Sequence, residues 1–274
     1  METNLAHAIA ISIFEPLDHT VVESFLASPP FINIAGTFNA RDISHGPNLP
    51  VKPGYAFRSG SLERLEPGGI AVLQSLGIKT VFDLRSERER GSAPEPEIPG
   101  VEIIWKPSTV VNATAAPVQA EKQEAGFSLT TMNLDMLESH KASFKAVFDH
   151  ILHHPDKPFL FHCTAGKDRT GVIAALILGL AGADIAYINR DYALTRLGIE
   201  PVREFLTKKL LAGNFTMKDL DSPKMQAYSK IPPDLWNNVF LEMDRKYDGV
   251  QEYVKTELDF SDDDIAVIRR NLEG

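Results

Sequence analysis

The stretch His162-Cys163-Thr164-Ala165-Gly166-Lys167-Asp168-Arg169-Thr170-Gly171 decides the reading of this chain, with Pro158-Phe159-Leu160-Phe161 before it and Val172-Ile173-Ala174-Ala175-Leu176-Ile177-Leu178 after it. The short apolar run ahead of it predicts a strand buried on both faces of a parallel sheet. The residues from Thr170 to Leu180 have the length and composition of a buried helix, which Thr170 is expected to cap. A tight turn must join the two, and Gly166 can take positive φ there without a Cβ clash. Such a turn gathers the N–H groups from Thr164 to Arg169 into a concave nest that binds anions. The helix N-terminus and the guanidinium of Arg169 add to the positive field.

That field also acts on Cys163, the sole cysteine of the chain. A cysteine at a helix N-terminus beside cations commonly ionises well below its ordinary value of about 8.5. The thiolate can then attack phosphorus without a separate base. Cys163 is therefore the candidate nucleophile. Thr164, Ala165, Gly166, Lys167, Asp168 and Arg169 are candidate phosphate-binding residues, with Arg169 as the bidentate ligand. Breaking a P–O bond also requires a proton for the leaving oxygen. Asp168 is the first candidate for that acid. Asp83, at the end of the predicted strand in Thr80-Val81-Phe82-Asp83-Leu84-Arg85, is the second, because ligands of open α/β sheets bind outside the carboxyl ends of strands.

A His-Cys pair, five residues, Arg and then Thr resembles the signature of the cysteine-dependent protein tyrosine phosphatase superfamily. The interior Ala165-Gly166-Lys167-Asp168-Arg169-Thr170 is similar to the subgroup of mycobacterial protein tyrosine phosphatase B and fungal tyrosine/serine phosphatases. Asn39-Ala40-Arg41-Asp42-Ile43, Phe57-Arg58-Ser59-Gly60-Ser61, Val81 to Ser86, Asp191-Tyr192 and a stretch from Tyr247 to Leu272 resemble the same subgroup in the same order. The resemblance implies that His162 holds the loop and tunes the cysteine, and that the Thr170 hydroxyl stabilises the departing thiolate. It implies that Lys167, a second cation, widens the substrate range toward phosphorylated lipids or sugars. It places Arg85 by the site, with Arg58, Arg41 and Asp42 bolstering the pocket wall or contacting substrate. The fold it implies is phosphatase-type.

The rest of the chain agrees with an α/β class. Apolar residues at 144, 147, 148, 151 and 152 mark one face of a helix between Leu137 and Leu152. This helix leads into the nucleophile strand, as in a central, mostly parallel sheet flanked by helices. Phe31 to Ile34, Tyr55 to Phe57, Val81 to Leu84 and Val101 to Trp105 read as strands. Pro67 to Leu76 reads as a helix with proline in its first turn. After the nucleophile helix the C-terminal half looks helical: Asp184–Arg196, Val202–Leu211, Asp234–Lys246, Val250–Leu258, and a last helix capped by Ser261. We expect a single phosphatase domain over 1–274, with residues 1–30 as a leader segment packed on it. Residues 107–134 and 212–233 are expected to be insertions or flaps, the first of them near the site.

The chain has 274 residues, 43% of them hydrophobic, enough for a sizeable core. A formal net charge of −9 disfavours nucleic acid and gives no general pull toward anionic membranes. One cysteine permits no internal disulfide, which suits a reducing compartment and cytoplasmic residence. No segment has the length to span a bilayer, so no integral membrane association is expected. No metal-ligand spacing or nucleotide fingerprint is present, so neither metal nor cofactor is expected. The reading is a phosphomonoesterase working through a phosphocysteine. Its substrate would be a phosphorylated protein (phosphotyrosine, or phosphoserine/threonine) or a small phosphoester such as a phosphoinositide. A non-catalytic phosphate-binding module and a rhodanese-type sulfurtransferase are the alternatives.

Overall fold

The structure, a computed structural model, describes residues 2–46, 49–106, 108, 127–212 and 216–273. Five strands form one sheet: β1 (Arg41–Asp42), β2 (Ala56–Ser59), β3 (Thr80–Asp83), β4 (Glu102–Trp105) and β5 (Phe159–His162). Their order is β1-β2-β5-β3-β4, with β1 antiparallel to β2 and every other pairing parallel. The helices are α1 (Glu2–Ala10), α2 (His19–Leu26), α3 (Pro67–Ser75), α4 (Glu87–Ser92), α5 (Leu129–Ser139), α6 (Lys141–His153), α7 (Asp168–Ala181), α8 (Ile185–Gly198), α9 (Arg203–Leu211), α10 (Met217–Leu220), α11 (Pro223–Tyr228), α12 (Leu235–Tyr247), α13 (Gly249–Glu252) and α14 (Asp262–Glu273). This is an α/β fold with a mostly parallel sheet and a helical C-terminal half.

β5 is the central strand, and all four of its residues are buried. A strand covered on both faces can be apolar throughout, and Phe159, Leu160 and Phe161 meet that condition. One face packs on α6 and α7 through Phe144, Val147, Phe148, Val172, Leu176 and their neighbours. The other face, with Val81, Leu160, Ile78 and Leu73, is closed by α3. In register, Ser59 of β2 and Asp83 of β3 lie beside His162. The carboxyl ends of three parallel strands therefore meet at the loop after β5.

Several boundaries differ from those read in the sequence. Phe31 to Ile34 forms no strand; Phe31 makes one isolated bridge to Arg41, and Ile34 packs with Phe57, Val81 and Leu160. The helix expected over 137–152 is two helices broken at His140, whose φ of −115° and ψ of 19° end α5 before α6 begins. α7 starts at Asp168, two residues earlier than expected, so Thr170 lies in its first turn and does not cap it. The N-terminal residues form α1 and α2, whose Leu5, Ala8, Val22 and Phe25 pack on Leu194 and Leu197 of α8. The 212–233 segment folds in part as α10 and α11. Most of the 107–134 segment lies outside the described residues; its end opens α5, capped by Ser128.

Candidate active site

The loop Cys163 to Lys167 owes its shape to what binds its carbonyls. His162 Nδ1 lies 3.3 Å from the Cys163 oxygen, and the Ser61 amide donates to the Thr164 oxygen at 3.2 Å. Asn39 Nδ2 donates to the oxygens of Ala165 (3.3 Å) and Gly166 (3.0 Å). Arg58 Nη2 also donates to Gly166, at 2.9 Å. Each carbonyl is thus held on the outer side of the turn. A peptide whose oxygen points out carries its N–H inward, and the amides of Thr164 through Thr170 have no partner among the described residues. They form the nest at the start of α7, where the helix dipole adds positive field. Gly166 makes the turn possible: its φ is +65°, and a Cβ there would lie 2.4 Å from the Ser59 oxygen.

A second layer holds Asn39 and Arg58. Asp191 of α8 accepts from Arg41 Nε at 2.8 Å and from Arg58 Nη1, and Arg41 Nη1 donates to Asn39 Oδ1 at 2.5 Å. All three charged side chains are buried. Burial works against the Asp191 charge, yet the two arginines hold its carboxyl below the usual range. Burial and the neighbouring Arg58 push Arg41 down to about 10, still charged at neutral pH. α8 closes on Asn39 at Gly198, where a Cβ would meet Asn39 Oδ1 at 2.1 Å.

Arg169 reaches back over the loop and is met by a residue that the sequence did not single out. Glu89, in α4, accepts from Arg169 Nη1 at 2.6 Å and Nη2 at 2.7 Å, and from Thr164 Oγ1 at 2.5 Å. Its other contacts are the Ser86 amide and hydroxyl, the reciprocal half of a capping box. Burial opposes its charge, but Arg169 holds the carboxyl well below the ordinary range. The same pairing lifts Arg169 against its own burial. Arg169 Nε remains buried and without a partner. Ser86-Glu87-Arg88-Glu89 was the available sequence signal, since it has the capping-box spacing.

Cys163 is 1% exposed and within electrostatic reach of Arg169, Tyr192 and Tyr228. Asp168 and Lys167 are buried alongside it. Tyr228 of α11 donates to Asp168 Oδ2 at 3.1 Å, and its ring lies 4.0 Å from the Lys167 ammonium. Lys167 Nζ donates to the Tyr228 backbone carbonyl at 3.0 Å; it lies 3.3 Å from Asp168 Oδ1, an ion pair without hydrogen-bond direction. Tyr228 in turn packs edge-on against Phe127. Part of the 212–233 segment therefore covers the loop. His140, at the α5–α6 break, also borders Arg169 and Glu89 electrostatically. Burial pushes it down to about 3, so the ring is neutral near pH 7. No sequence pattern pointed to it.

Asp83 and Arg85 flank Leu84, whose carbonyl accepts from Arg169 Nη1 at 3.2 Å, and form a second charged cluster beside His162. Arg85 grips Asp83 through Nε (2.9 Å) and Nη2 (3.0 Å) and also pairs with Glu95, while Arg90 Nε lies 3.3 Å from Asp83. Burial opposes the Asp83 charge, but His162 and Arg85 keep its carboxyl below the ordinary range. One ligand atom each of Asp83, Glu95 and His162 lies within 4.8 Å of the others, a spacing a metal could use. The Arg85 guanidinium already bonds both carboxylates. Asp42 shapes the β1–β2 turn by accepting from Ser44 N (2.8 Å) and Gly54 N (2.6 Å). Thr170 Oγ1 is buried without a partner.

Residues 32–274 match a tyrosine phosphatase family over most of the chain. The protein belongs to that family. This phosphatase is 28% identical over 205 residues to a tyrosine-protein phosphatase of Nostoc commune, covering 74% of this chain and 70% of that one. It is 29% identical over 205 residues to the triple specificity protein phosphatase PtpB of Mycobacterium tuberculosis, covering 65% of this chain and 73% of that one. Among solved structures, that of P. aeruginosa TpbA in complex with pTyr covers 74% of the phosphatase and 94% of its own chain, at 16% identity and a TM-score of 0.32. No helix among the described residues is long and apolar enough to cross a membrane.

Proposed function

We propose that this tyrosine phosphatase hydrolyses phosphomonoesters in two steps through a phosphocysteine at Cys163. The outward tethering of the Cys163, Thr164, Ala165 and Gly166 carbonyls carries this reading. It leaves the amides of Thr164 through Thr170 and the buried Arg169 Nε without partners among the described residues, available to the oxygens of a phosphoryl group on Cys163. Donors fixed in advance for three phosphoryl oxygens stabilise the transition state without reorganising, which is the largest catalytic term available to such a site. The thiolate attacks phosphorus and the S–P bond forms as the P–O bond to the alcohol breaks. An acid protonates the departing oxygen. Water then cleaves S–P, with the same residue now acting as base and the thiolate leaving beside Thr170.

Asp168 suits the acid better than Asp83. It shares the loop with Cys163, whereas Asp83 is gripped by Arg85 and Arg90 and held as an anion. A group that must carry a proton is poorly served by two guanidinium partners. Tyr228 donates to Asp168 in the covered site as a leaving phenol would accept from it, so α11 must move before substrate enters. Phosphotyrosine is the substrate class this reading favours, in keeping with the tyrosine phosphatase family to which the chain belongs. Lys167 adds a second cation that supports phosphoserine/threonine or phosphoinositide substrates as well. Cytoplasmic residence belongs to the same reading, since a single nucleophilic cysteine keeps its function in a reducing compartment.

The test compares Asp168→Asn and Asp83→Asn on a phenyl phosphate with a poor leaving group across pH. Asp168→Asn should slow turnover by about 10²-fold or more and flatten the basic fall in rate. The same flattening in Asp83→Asn alone would transfer the acid to Asp83. A rate panel over phosphopeptides and inositol phosphates, run on the wild-type enzyme, ranks the substrate classes.

A further inference from the structure

His162 is enclosed, with 0% exposure, and its two nitrogens face acceptors. Nδ1 lies 3.3 Å from the Cys163 carbonyl oxygen, which can only accept, so Nδ1 carries a proton. Nε2 lies 3.1 Å from Glu95 Oε1 and 4.0 Å from Asp83 Oδ1. The Glu95 contact has ion-pair distance without hydrogen-bond direction. A bare nitrogen lone pair would face two carboxylates and be repelled; a protonated one is attracted. The arrangement therefore calls for an imidazolium directly beneath the nucleophile's peptide.

Of the two carboxylates, Asp83 is already committed. Its oxygens take Arg85 N, Nε and Nη2, and Arg90 Nε is 3.3 Å away. Among the described residues Glu95 shares only Arg85 Nη2, and its buried Oε2 has no hydrogen-bond partner. Its side chain is 2% exposed, in the extended segment Pro94-Glu95-Pro96 that follows α4. A proline on each side restricts the backbone there and keeps the carboxylate aimed inward. The remaining charges around Arg85 are Glu63, at 3.8 Å, and Lys209, which bonds Glu63. The other charged groups of the loop are paired among themselves and with α4: Arg169 with Glu89, and Lys167 with Asp168.

We infer that Glu95 is a positioning residue for the phosphatase reaction: its carboxylate holds His162 doubly protonated, so that a cation sits under Cys163 and its carbonyl stays outside the nest. Burial and the nearby Arg85 guanidinium oppose charge on His162, but Glu95 and Asp83 outweigh them and hold the ring above the ordinary histidine value, which agrees with the geometry. The inference rests on Cys163 being the nucleophile. Its consequence is electrostatic: removing the Glu95 charge should make the sulfur harder to ionise.

The test is Glu95→Gln in the full chain, read by iodoacetamide alkylation across pH. Cys163 is the only cysteine, so the label reports on it without reference to turnover. The midpoint of the alkylation profile should rise by about one pH unit, making labelling about tenfold slower below it. The acid limb of kcat/KM should move by the same amount, with the rate recovering at higher pH. The ring nitrogens of His162 should lose their imidazolium NMR signature near neutral pH. A residue that only braces the fold would lower activity at all pH values and leave the midpoint in place, and that result overturns the inference. Should Glu95→Gln fail to fold, Glu95→Asp keeps the charge for Arg85 but draws it back from His162. A smaller rise is then expected, and no rise overturns the inference equally. Full turnover in Cys163→Ser would instead remove the nucleophile while leaving the alkylation result intact, so the two failures are separable.

Discussion

Glu89→Gln isolates the charge that holds Arg169 in place. Glutamine has the same length and satisfies a capping box at the same position, so α4 should still begin at Glu87. What is lost is one of the two carboxylate oxygens that meet Arg169 at 2.6 and 2.7 Å, together with the negative charge. Breaking a buried ion pair by removing one partner costs about 3–5 kcal/mol, because the other charge stays buried and uncompensated. The Glu89 side chain is 17% exposed, so solvent relieves part of this and the lower end, about 3 kcal/mol, is expected. At about 2 °C per kcal/mol for a chain of this size, the melting temperature should fall by about 6 °C. Turnover should fall further than stability accounts for. Arg169 would rotate toward solvent or the new amide, and a misdirected donor of this type costs about 10²-fold in kcat. Para-nitrophenyl phosphate kinetics and a thermal melt on one preparation measure both. A variant within threefold of wild-type kcat and within 2 °C of its melting temperature would refute the argument that Glu89 orients Arg169.

Asp191→Asn removes the buried anion shared by Arg41 and Arg58; a loss of about 3–5 kcal/mol is expected in urea unfolding, and less than 1 kcal/mol would show the pair is not needed. Gly166→Ala places a methyl group against the Ser59 oxygen at positive φ, so phosphate binding and turnover should both fall by more than about 10²-fold while the far sheet stays protected in hydrogen exchange. Stability should depend on pH with a definite sign. Glu89, Asp191 and Asp83 have folded values below their unfolded ones, so their stabilisation is present above about pH 4.5 and is lost as pH falls through the folded values. His140, pushed down to about 3, acts in the same direction but sooner: its contribution is full above about pH 6.5 and declines below that. His162 opposes them, because its raised value stabilises at low pH and that contribution fades as pH rises through the folded value. Melting temperatures from pH 7 to 4 should therefore fall, and His140→Gln should flatten the upper part of that fall.

The nucleophile turn was legible because its parts are local: an apolar strand, a glycine with room for positive φ, and a helix start within ten consecutive residues. The mostly parallel sheet followed from helix and strand order. What surrounds the turn was less legible, since it depends on contacts between distant segments. Asn39 reaches Gly166 across 127 positions and Asp191 reaches Arg58 across 133. Glu89 was hidden among the charged residues of Ser86 to Arg90, where a hydrated strand end would look the same. Glu95 and His140 stand in no periodic pattern at all. The early start of α7 has a physical reason as well: the nest leaves its amides for a ligand, so Thr170 has no cap to make.

The most direct measurement is to trap the intermediate. Asp168→Asn, given para-nitrophenyl phosphate, whose leaving group needs no proton, should complete the first step and stall in the second. Acid quench within the first turnovers, followed by peptide mass spectrometry, should find one phosphoryl group on Cys163, and Cys163→Ser should show neither label nor turnover. A phosphoryl group on another side chain, or hydrolysis that persists in Cys163→Ser, would contradict the account.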